Sequence, residues 1–201
     1  MPDQRDTDYV LGTHDEEVAR LGLQHRVWRP IATDCWRRAG ITVGSRVVDV
    51  GAGPGYATVD FAEIVGPTGA VLAVERSARF LKVARQVCAA RSLGQVRFQE
   101  ADLMEQPPDA REFDYAWCRW VASFVASPAK LIQNISSALR PGGIAIFHEY
   151  SHYETFCFAP RRPALESFSE EVMKSWRAAG GEPNVAGFIR TATQSGAPAA
   201  L

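Results

Sequence analysis

The stretch Val47-Val48-Asp49-Val50-Gly51-Ala52-Gly53-Pro54-Gly55-Tyr56 decides the fold of this chain. The valines that open it are typical of a strand covered on both faces. The three glycines allow a tight turn and let the backbone approach a ligand closely. A buried strand that ends in such a turn, with an acid just ahead of it, predicts a pocket for a nucleotide cofactor.

The composition is that of a globular domain that handles small molecules. The chain has 201 residues, of which 46% are apolar, enough for one domain with a full core. Its net charge of −1 gives no electrostatic basis for binding nucleic acid or an anionic membrane. Residues 1–8 are polar and no apolar segment follows, so we expect neither a signal peptide nor a membrane span, and a cytoplasmic location. A homo-oligomer is compatible with these features.

The four cysteines are widely spaced and form no CxxC pair. This spacing predicts reduced thiols, mostly buried, rather than a disulfide framework or a zinc site.

Apolar and turn-forming residues alternate in a pattern of strands and helices. Residues 15–39 have helical spacing and predict two helices, or one that is kinked at Pro30. Helices are also predicted at 56–65, after the cap Ser77 and after Ser127-Pro128, the last ending at 141–143, and strands at 46–50, 70–75, 96–101, 113–118 and 144–149. This order predicts an α/β fold: a Rossmann-like, doubly wound, mainly parallel sheet with helices on both faces.

Three acids fall at or near the carboxyl ends of the predicted strands, where an open α/β sheet binds its ligand: Asp49, Glu75 and Asp102. Glu75 is placed to accept hydrogen bonds from both hydroxyls of a ribose, or alternatively to cap the helix after Ser77. A dinucleotide is the competing ligand, but the glycine spacing is GxGxG rather than GxGxxG, and Pro54 lacks an amide donor. Carboxylates at the turn attract an ammonium and a sulfonium, which favours S-adenosylmethionine.

With these motifs, the chain resembles the class I S-adenosylmethionine-dependent methyltransferases, particularly the broad group that includes small-molecule and quinone-biosynthesis enzymes. The resemblance runs from Tyr9 to about Tyr150. Its motifs are weak singly but strong in this order and spacing: 49–55, Glu75, Ala101-Asp102-Leu103, 113–119 and Leu139-Arg140-Pro141-Gly142-Gly143.

The resemblance implies methyl transfer from S-adenosylmethionine to a small-molecule acceptor by in-line displacement. The glycine turn, with Cys118 and Arg119 at its border, would host the methionine part of the cofactor. The ribose and adenine would lie against Glu75, Arg76, Asp102 and Leu103. An N-terminal lid would close over them with Tyr9, Gln24 and Trp28. The cofactor-binding residues implied are therefore Tyr9, Gln24, Asp49, Gly51, Gly53, Gly55, Glu75, Arg76, Asp102, Leu103, Cys118 and Arg119. The alternatives are a non-catalytic binder of the same cofactor, a truncated fragment and, less favoured, an NAD-dependent dehydrogenase.

The stretch His148-Glu149-Tyr150-Ser151-His152 matches the zinc-protease pattern HExxH. Residues 142–147 lead into it as a strand, however, and positions four apart in an extended chain lie about 13 Å from each other, too far for one zinc ion. We therefore expect no metal site. Methyl transfer from a sulfonium needs alignment more than a catalytic group, but a hydroxyl acceptor would need a base, for which His148 and Glu149 are the candidates.

The chain departs from the resembling family after Tyr150. The family builds seven strands, whereas the last 51 residues here predict a helix at 164–179, a break at Gly180-Gly181, a shorter helix at 185–192 and no sixth or seventh strand. Strand 144–147 would then be an exposed edge. A fragment of a longer protein, a truncated natural chain, and completion by another subunit all fit, and a truncated chain is favoured. We expect one domain, with a helical lid (1–44), a cofactor-binding core (45–150) and an incomplete acceptor region (151–201).

Overall fold

The structure is a computed structural model that describes residues 12–109 and 111–194. Its centre is a five-stranded sheet in the order β3-β2-β1-β4-β5, and every neighbouring pair is parallel. The strands are β1 (Arg46–Val50), β2 (Ala70–Glu75), β3 (Val96–Glu100), β4 (Phe113–Arg119) and β5 (Leu139–His148). The predicted doubly wound α/β fold is confirmed, because the chain runs outward from β1 in both directions.

In the described part of the chain, one α-helix precedes the strands and five more lie between and after them. They are α1 (Asp15–Ala39), α2 (Tyr56–Val65), α3 (Ala78–Ala90), α4 (Pro128–Ala138), α5 (Pro163–Ala178) and α6 (Val185–Gln194). The caps predicted for two of them are present, since the Ser77 and Ser127 hydroxyls accept the Phe80 and Lys130 N–H groups.

Helix α1 is continuous rather than divided at Pro30. Pro30 lies on its solvent-exposed side. Water can hydrogen-bond the carbonyl that the missing N–H leaves free, so the helix tolerates the proline there.

The sheet is covered on both faces. One face packs beneath α4 and α6, where Leu131, Ile135 and Ile189 join the valines of β1. The other packs beneath α1 and α2, where the Trp36 ring lies 4.3 Å from Phe61, between ring centroids. The valine strand is therefore buried on both sides, as its sequence predicts.

Strand β5 begins earlier than predicted. The sequence places the end of the preceding helix at residues 141–143, but α4 ends at Ala138 and the strand starts at Leu139. The register jumps from Phe113↔Leu139 to Tyr115↔Ile144, so Pro141, Gly142 and Gly143 form an irregularity inside the β ladder.

The residues after β5 form the two predicted helices. Helix α6 packs on α4 and buries Val185, whereas α5 has no buried residue and is fixed mainly by Trp176, whose indole N–H donates to the Ser123 carbonyl at 2.8 Å. Among the described residues, β5 pairs with β4 alone. In the same ranges, no helix is both long enough and apolar enough to span a membrane.

Candidate functional site

The glycine turn after β1 has the geometry that its glycines predict. Gly51, Gly53 and Gly55 have φ angles of +64°, +56° and +85°, a region that other residues rarely adopt. A Cβ atom on Gly51 would lie 2.3 Å from Val121 Cγ2, so the turn packs closely against the loop after β4. A Cβ atom on Gly53 would meet nothing within 4 Å. The turn is thus packed against Val121 at Gly51 and is open at Gly53, where a ligand has room.

Glu75 joins the end of β2 to this turn. Its Oε2 accepts the Gly53 N–H and its Oε1 accepts the Ser77 N–H, both at 2.9 Å. Burial raises the pKa of Glu75, although these hydrogen bonds oppose the rise. Each carboxylate oxygen retains a second lone pair, so both could still accept a ribose hydroxyl. The alternative role as a helix cap is not needed, because Ser77 caps α3 with its own hydroxyl.

Asp102 lies just beyond the end of β3, beside a cleft of about 380 Å³. Arg76 and Ala101 also line this cleft. The Asp102 carboxylate is fixed by the Met104 N–H, which donates to Oδ1 at 2.7 Å. The side chain of Leu103 belongs instead to the hydrophobic core and is not part of the cleft lining.

Asp49 lies beneath the turn rather than at its surface. Its side chain is 2% exposed and accepts a hydrogen bond from the Thr58 hydroxyl at 2.5 Å. Burial raises the pKa of Asp49 to about 6, while Thr58 and the charge of Arg119 act in the opposite direction. Asp49 can therefore act on a ligand through its charge rather than through direct contact.

Arg119 is the last residue of β4. Its Nη2 lies 3.1 Å from Nδ1 of His25, and its Nη1 is buried without a hydrogen-bond partner in the described ranges. A buried guanidinium N–H left unpaired is costly, and a ligand carboxylate would satisfy it. The neighbouring Cys118 is an inert thiol, because burial, followed by the charge of Glu149, raises its pKa well above its usual value.

Helix α1 reaches the site through residues that the sequence analysis missed. His25 Nε2 and Arg29 Nε lie 3.0 and 2.8 Å from Oδ2 of Asp60 on α2. His25 stands at an otherwise apolar position of the helical pattern over residues 15–39, and the available signal was that a polar residue at such a position needs a buried partner. Gln24, the predicted ligand, is partly exposed beside it, while Tyr9 lies outside the described residues.

The two candidate bases have different surroundings. The Oε1 atom of Glu149 accepts the N–H groups of Val121 and Ala122 at 2.9 and 2.8 Å, and Oε2 accepts the Ser123 hydroxyl at 3.0 Å. Glu149 thus holds the loop after β4. His148 is the last residue of β5, which confirms that the HExxH match begins in a strand.

His148 lies within an aromatic cluster formed with Trp28, Trp117, Trp120 and Tyr150. The His148 ring centroid is 5.3–5.7 Å from those of the three indoles, and Tyr150 stacks on Trp120 at 5.8 Å. Burial, together with the charge of Arg119, lowers the pKa of His148 to about 4, so the imidazole is neutral near pH 7. Its Nδ1 is buried, with no partner among the described residues.

The sheet order arranges the predicted ligands in one line. The carboxyl ends of β3, β2, β1 and β4 carry Asp102, Glu75, the glycine turn and Arg119 in that sequence. Neighbouring strands are about 4.8 Å apart, so the line extends over about 14 Å. An acceptor for an amino group, an acceptor for hydroxyls, an open turn and a guanidinium with one N–H group left without a described partner suit an extended nucleoside joined to an amino acid.

Comparison with known proteins agrees with this geometry. A family model described as a methyltransferase domain matches residues 41–191. The ubiquinone/menaquinone biosynthesis C-methyltransferase UbiE of Idiomarina loihiensis is 31% identical over 128 residues, which are 63% of this chain and 50% of that protein. The chain thus spans about half the length of this relative.

Solved structures share the fold. A crystal structure of a protein from Bacillus halodurans C-125 has a TM-score of 0.61 and 21% identity, covering 81% of this chain and 66% of the other. The cyclase SpnF has a TM-score of 0.53 and 25% identity, covering 59% of this chain and 43% of SpnF.

Proposed function

Because the chain belongs to the methyltransferase domain family, we propose that it transfers the methyl group of S-adenosylmethionine to a small-molecule acceptor. The observation that carries the proposal is the row of Asp102, Glu75, glycine turn and Arg119 along the strand ends. The order of these groups along the row matches the order of the parts of this cofactor, from adenine through ribose and sulfonium to carboxylate.

Each part of the row would hold one part of the cofactor. Asp102 would accept the adenine amino group inside the cleft, and Glu75 the ribose hydroxyls. The open side of Gly53 would admit the sulfur region, with the buried charge of Asp49 beneath it. The Nη1 of Arg119, buried and without a described partner, would bind the carboxylate.

When bound, S-adenosylmethionine supplies a methyl group on a positively charged sulfur. The contribution of the chain is to align the acceptor with that group and to exclude water, since the reaction removes charge. The aromatic cluster beside Arg119 suits a planar, largely apolar acceptor. His148, neutral and with Nδ1 buried without a described partner, has a ring nitrogen able to exchange a hydrogen bond with an acceptor oxygen.

The relatives named for ubiquinone and menaquinone biosynthesis suggest a ring carbon as the acceptor atom. A carbon nucleophile activated by its own ring oxygen needs no strong base on the protein, which agrees with the low pKa of His148.

A non-catalytic binder of the same cofactor is the second candidate. One observation favours it: among the described residues, no strand covers the outer edge of β5, next to the aromatic cluster. Such a protein would keep the row of ligands and lack turnover.

Calorimetric titration with S-adenosylmethionine, S-adenosylhomocysteine and NAD tests the cofactor. We expect the first two to bind and NAD not to bind, and preferential binding of NAD would refute both candidates. Transfer of a tritiated methyl group from S-adenosylmethionine to a panel of quinone precursors and phenols then separates enzyme from binder. His148→Ala should lower turnover of any acceptor found while leaving the affinity for S-adenosylhomocysteine unchanged.

A further inference from the structure

His25, Asp60 and Arg119 form one continuous chain of contacts between α2, α1 and the end of β4. His25 is 5% exposed and Asp60 is 7% exposed, so the contact between these two side chains is shielded from water. Asp60 Oδ2 faces Nε2 of His25, and Nδ1 of the same ring faces Nη2 of Arg119, at 3.0 and 3.1 Å.

The chemistry of the two partners fixes the hydrogen atoms on the His25 ring. A guanidinium can only donate, so Nδ1 must present its lone pair to Arg119. A carboxylate can only accept, so Nε2 carries the hydrogen that is donated to Asp60. Burial alone would raise the pKa of Asp60, but the hydrogen bonds from His25 and Arg29 outweigh burial and hold this pKa below its ordinary value. Asp60 therefore remains a carboxylate and keeps the ring in this tautomer.

The ring is also fixed in orientation. It stacks on Tyr56, with 5.8 Å between centroids and 22° between planes, and the Tyr56 hydroxyl donates to the Val18 carbonyl of α1. Gly22 allows this approach, because a Cβ atom there would lie 2.7 Å from the Tyr56 oxygen. Tyr56 begins α2 directly after the glycine turn, so α1 is fixed to the turn and to Arg119 at once.

We propose that His25 is a positioning residue that, held by Asp60, orients Arg119 so that its Nη1 is free to bind the carboxylate of the cofactor. The inference rests on the proposed function, because it takes the carboxylate to lie at the end of β4. The side chain of Arg119 is long and flexible, and without the Nδ1 contact it would have to be ordered when the ligand binds. The hydrogen bond made by His25 removes part of that cost in advance.

Two substitutions separate the two contacts of the ring. His25→Gln places an amide near the position of Nε2 and keeps the Asp60 contact while losing the acceptor for Arg119. His25→Asn places its amide oxygen near the position of Nδ1 and keeps that acceptor while losing Asp60. His25→Gln should therefore fold but leave Nη2 of Arg119 without its hydrogen-bond acceptor. His25→Asn is the matched control.

Two ligands separate a local effect from a general one. S-adenosylhomocysteine carries the carboxylate, whereas 5′-methylthioadenosine has the same nucleoside and sulfur without the amino-acid part. By calorimetry, His25→Gln should weaken S-adenosylhomocysteine about tenfold, the effect of about one hydrogen bond. It should leave 5′-methylthioadenosine unchanged, and His25→Asn should bind both ligands within about twofold of wild type.

The loss of affinity caused by His25→Gln must also depend on the presence of Arg119. Arg119→Met should weaken S-adenosylhomocysteine at least as much, and adding His25→Gln to it should cause no further loss. Equal weakening of both ligands by His25→Gln, unchanged affinity, or additive losses in the double variant would overturn the inference. Absence of binding of either ligand to the wild-type protein would instead refute the proposed cofactor site.

Discussion

Replacing Glu149 by glutamine tests the structural role of this residue. Its carboxylate accepts two N–H groups through Oε1 and one hydroxyl through Oε2. A glutamine can reproduce this pattern, because its oxygen accepts from Val121 and Ala122 while its NH₂ group donates to the Ser123 oxygen. We therefore expect Glu149→Gln to fold and to retain its affinity for S-adenosylhomocysteine.

The charge of Glu149 makes the stability of the wild-type protein depend on pH. Burial raises the pKa of this carboxyl from 4.5 to about 7, against the opposing hydrogen bonds from Ala122 and Val121. Between these two values the folded state binds more protons than the unfolded state, so the free energy of unfolding falls as the pH rises. At about 1.4 kcal/mol per pH unit, the loss on passing from pH 4.5 to pH 7 is about 3 kcal/mol.

Glutamine does not titrate, so the variant should lack this loss. Urea unfolding, followed by tryptophan fluorescence from about pH 5 to about pH 8, measures the free energy of unfolding of each protein. The stability of Glu149→Gln relative to wild type should increase over that range and level off above about pH 7. Glu170→Gln removes an exposed carboxylate on α5 and is the control. Its free energy of unfolding should change with pH in the same way as that of wild type. Parallel curves for wild type and Glu149→Gln would refute the reasoning.

Three further substitutions test the turn and the core. Gly51→Ala should cost more than about 2 kcal/mol in urea unfolding, because a positive φ adds to a Cβ contact of 2.3 Å with Val121, and a loss like that of Gly53→Ala would contradict this. Gly53→Ala should cost only about 1 kcal/mol in stability but should weaken S-adenosylhomocysteine in calorimetry, and unchanged affinity would show that the open side of the turn is not the ligand site. Trp36→Ala should cost about 3–5 kcal/mol of unfolding free energy because Trp36 is 1% exposed and packs on Phe61, and a cost below about 1 kcal/mol would contradict the described core.

The sequence predicted the sheet well because its signals are local. Valines before a glycine turn, and serines that cap helices, act on neighbouring residues, so β1 and the start of α3 lie where the pattern placed them. The start of β5 was misplaced for the opposite reason. Pro141 and Gly142 normally end an element, but here the pairing of Leu139 with Phe113 on β4 extends the ladder beyond them.

The candidate site was predictable only where the backbone determines it. Glu75 and Asp102 follow directly from the ends of strands, and the structure places Glu75 against the turn and Asp102 beside the cleft. The partners of His25 were not predictable, since Asp60 is 35 residues away and Arg119 is 94 residues away. Such contacts depend on how α1 docks, and periodicity alone gives the buried face of a helix without naming what that face meets.

Helix α1 connects the two halves of the proposed reaction. His25 contacts Arg119 at the methionine end of the cofactor row, and Trp28, one turn further along the same helix, packs against His148 and Trp120. One helix therefore contacts both the residue proposed to bind the cofactor carboxylate and the aromatic cluster where the acceptor is proposed to lie. The cofactor side of the site is visible in local motifs because it lies at strand ends, whereas these contacts of α1 join distant residues and are visible only in the folded chain.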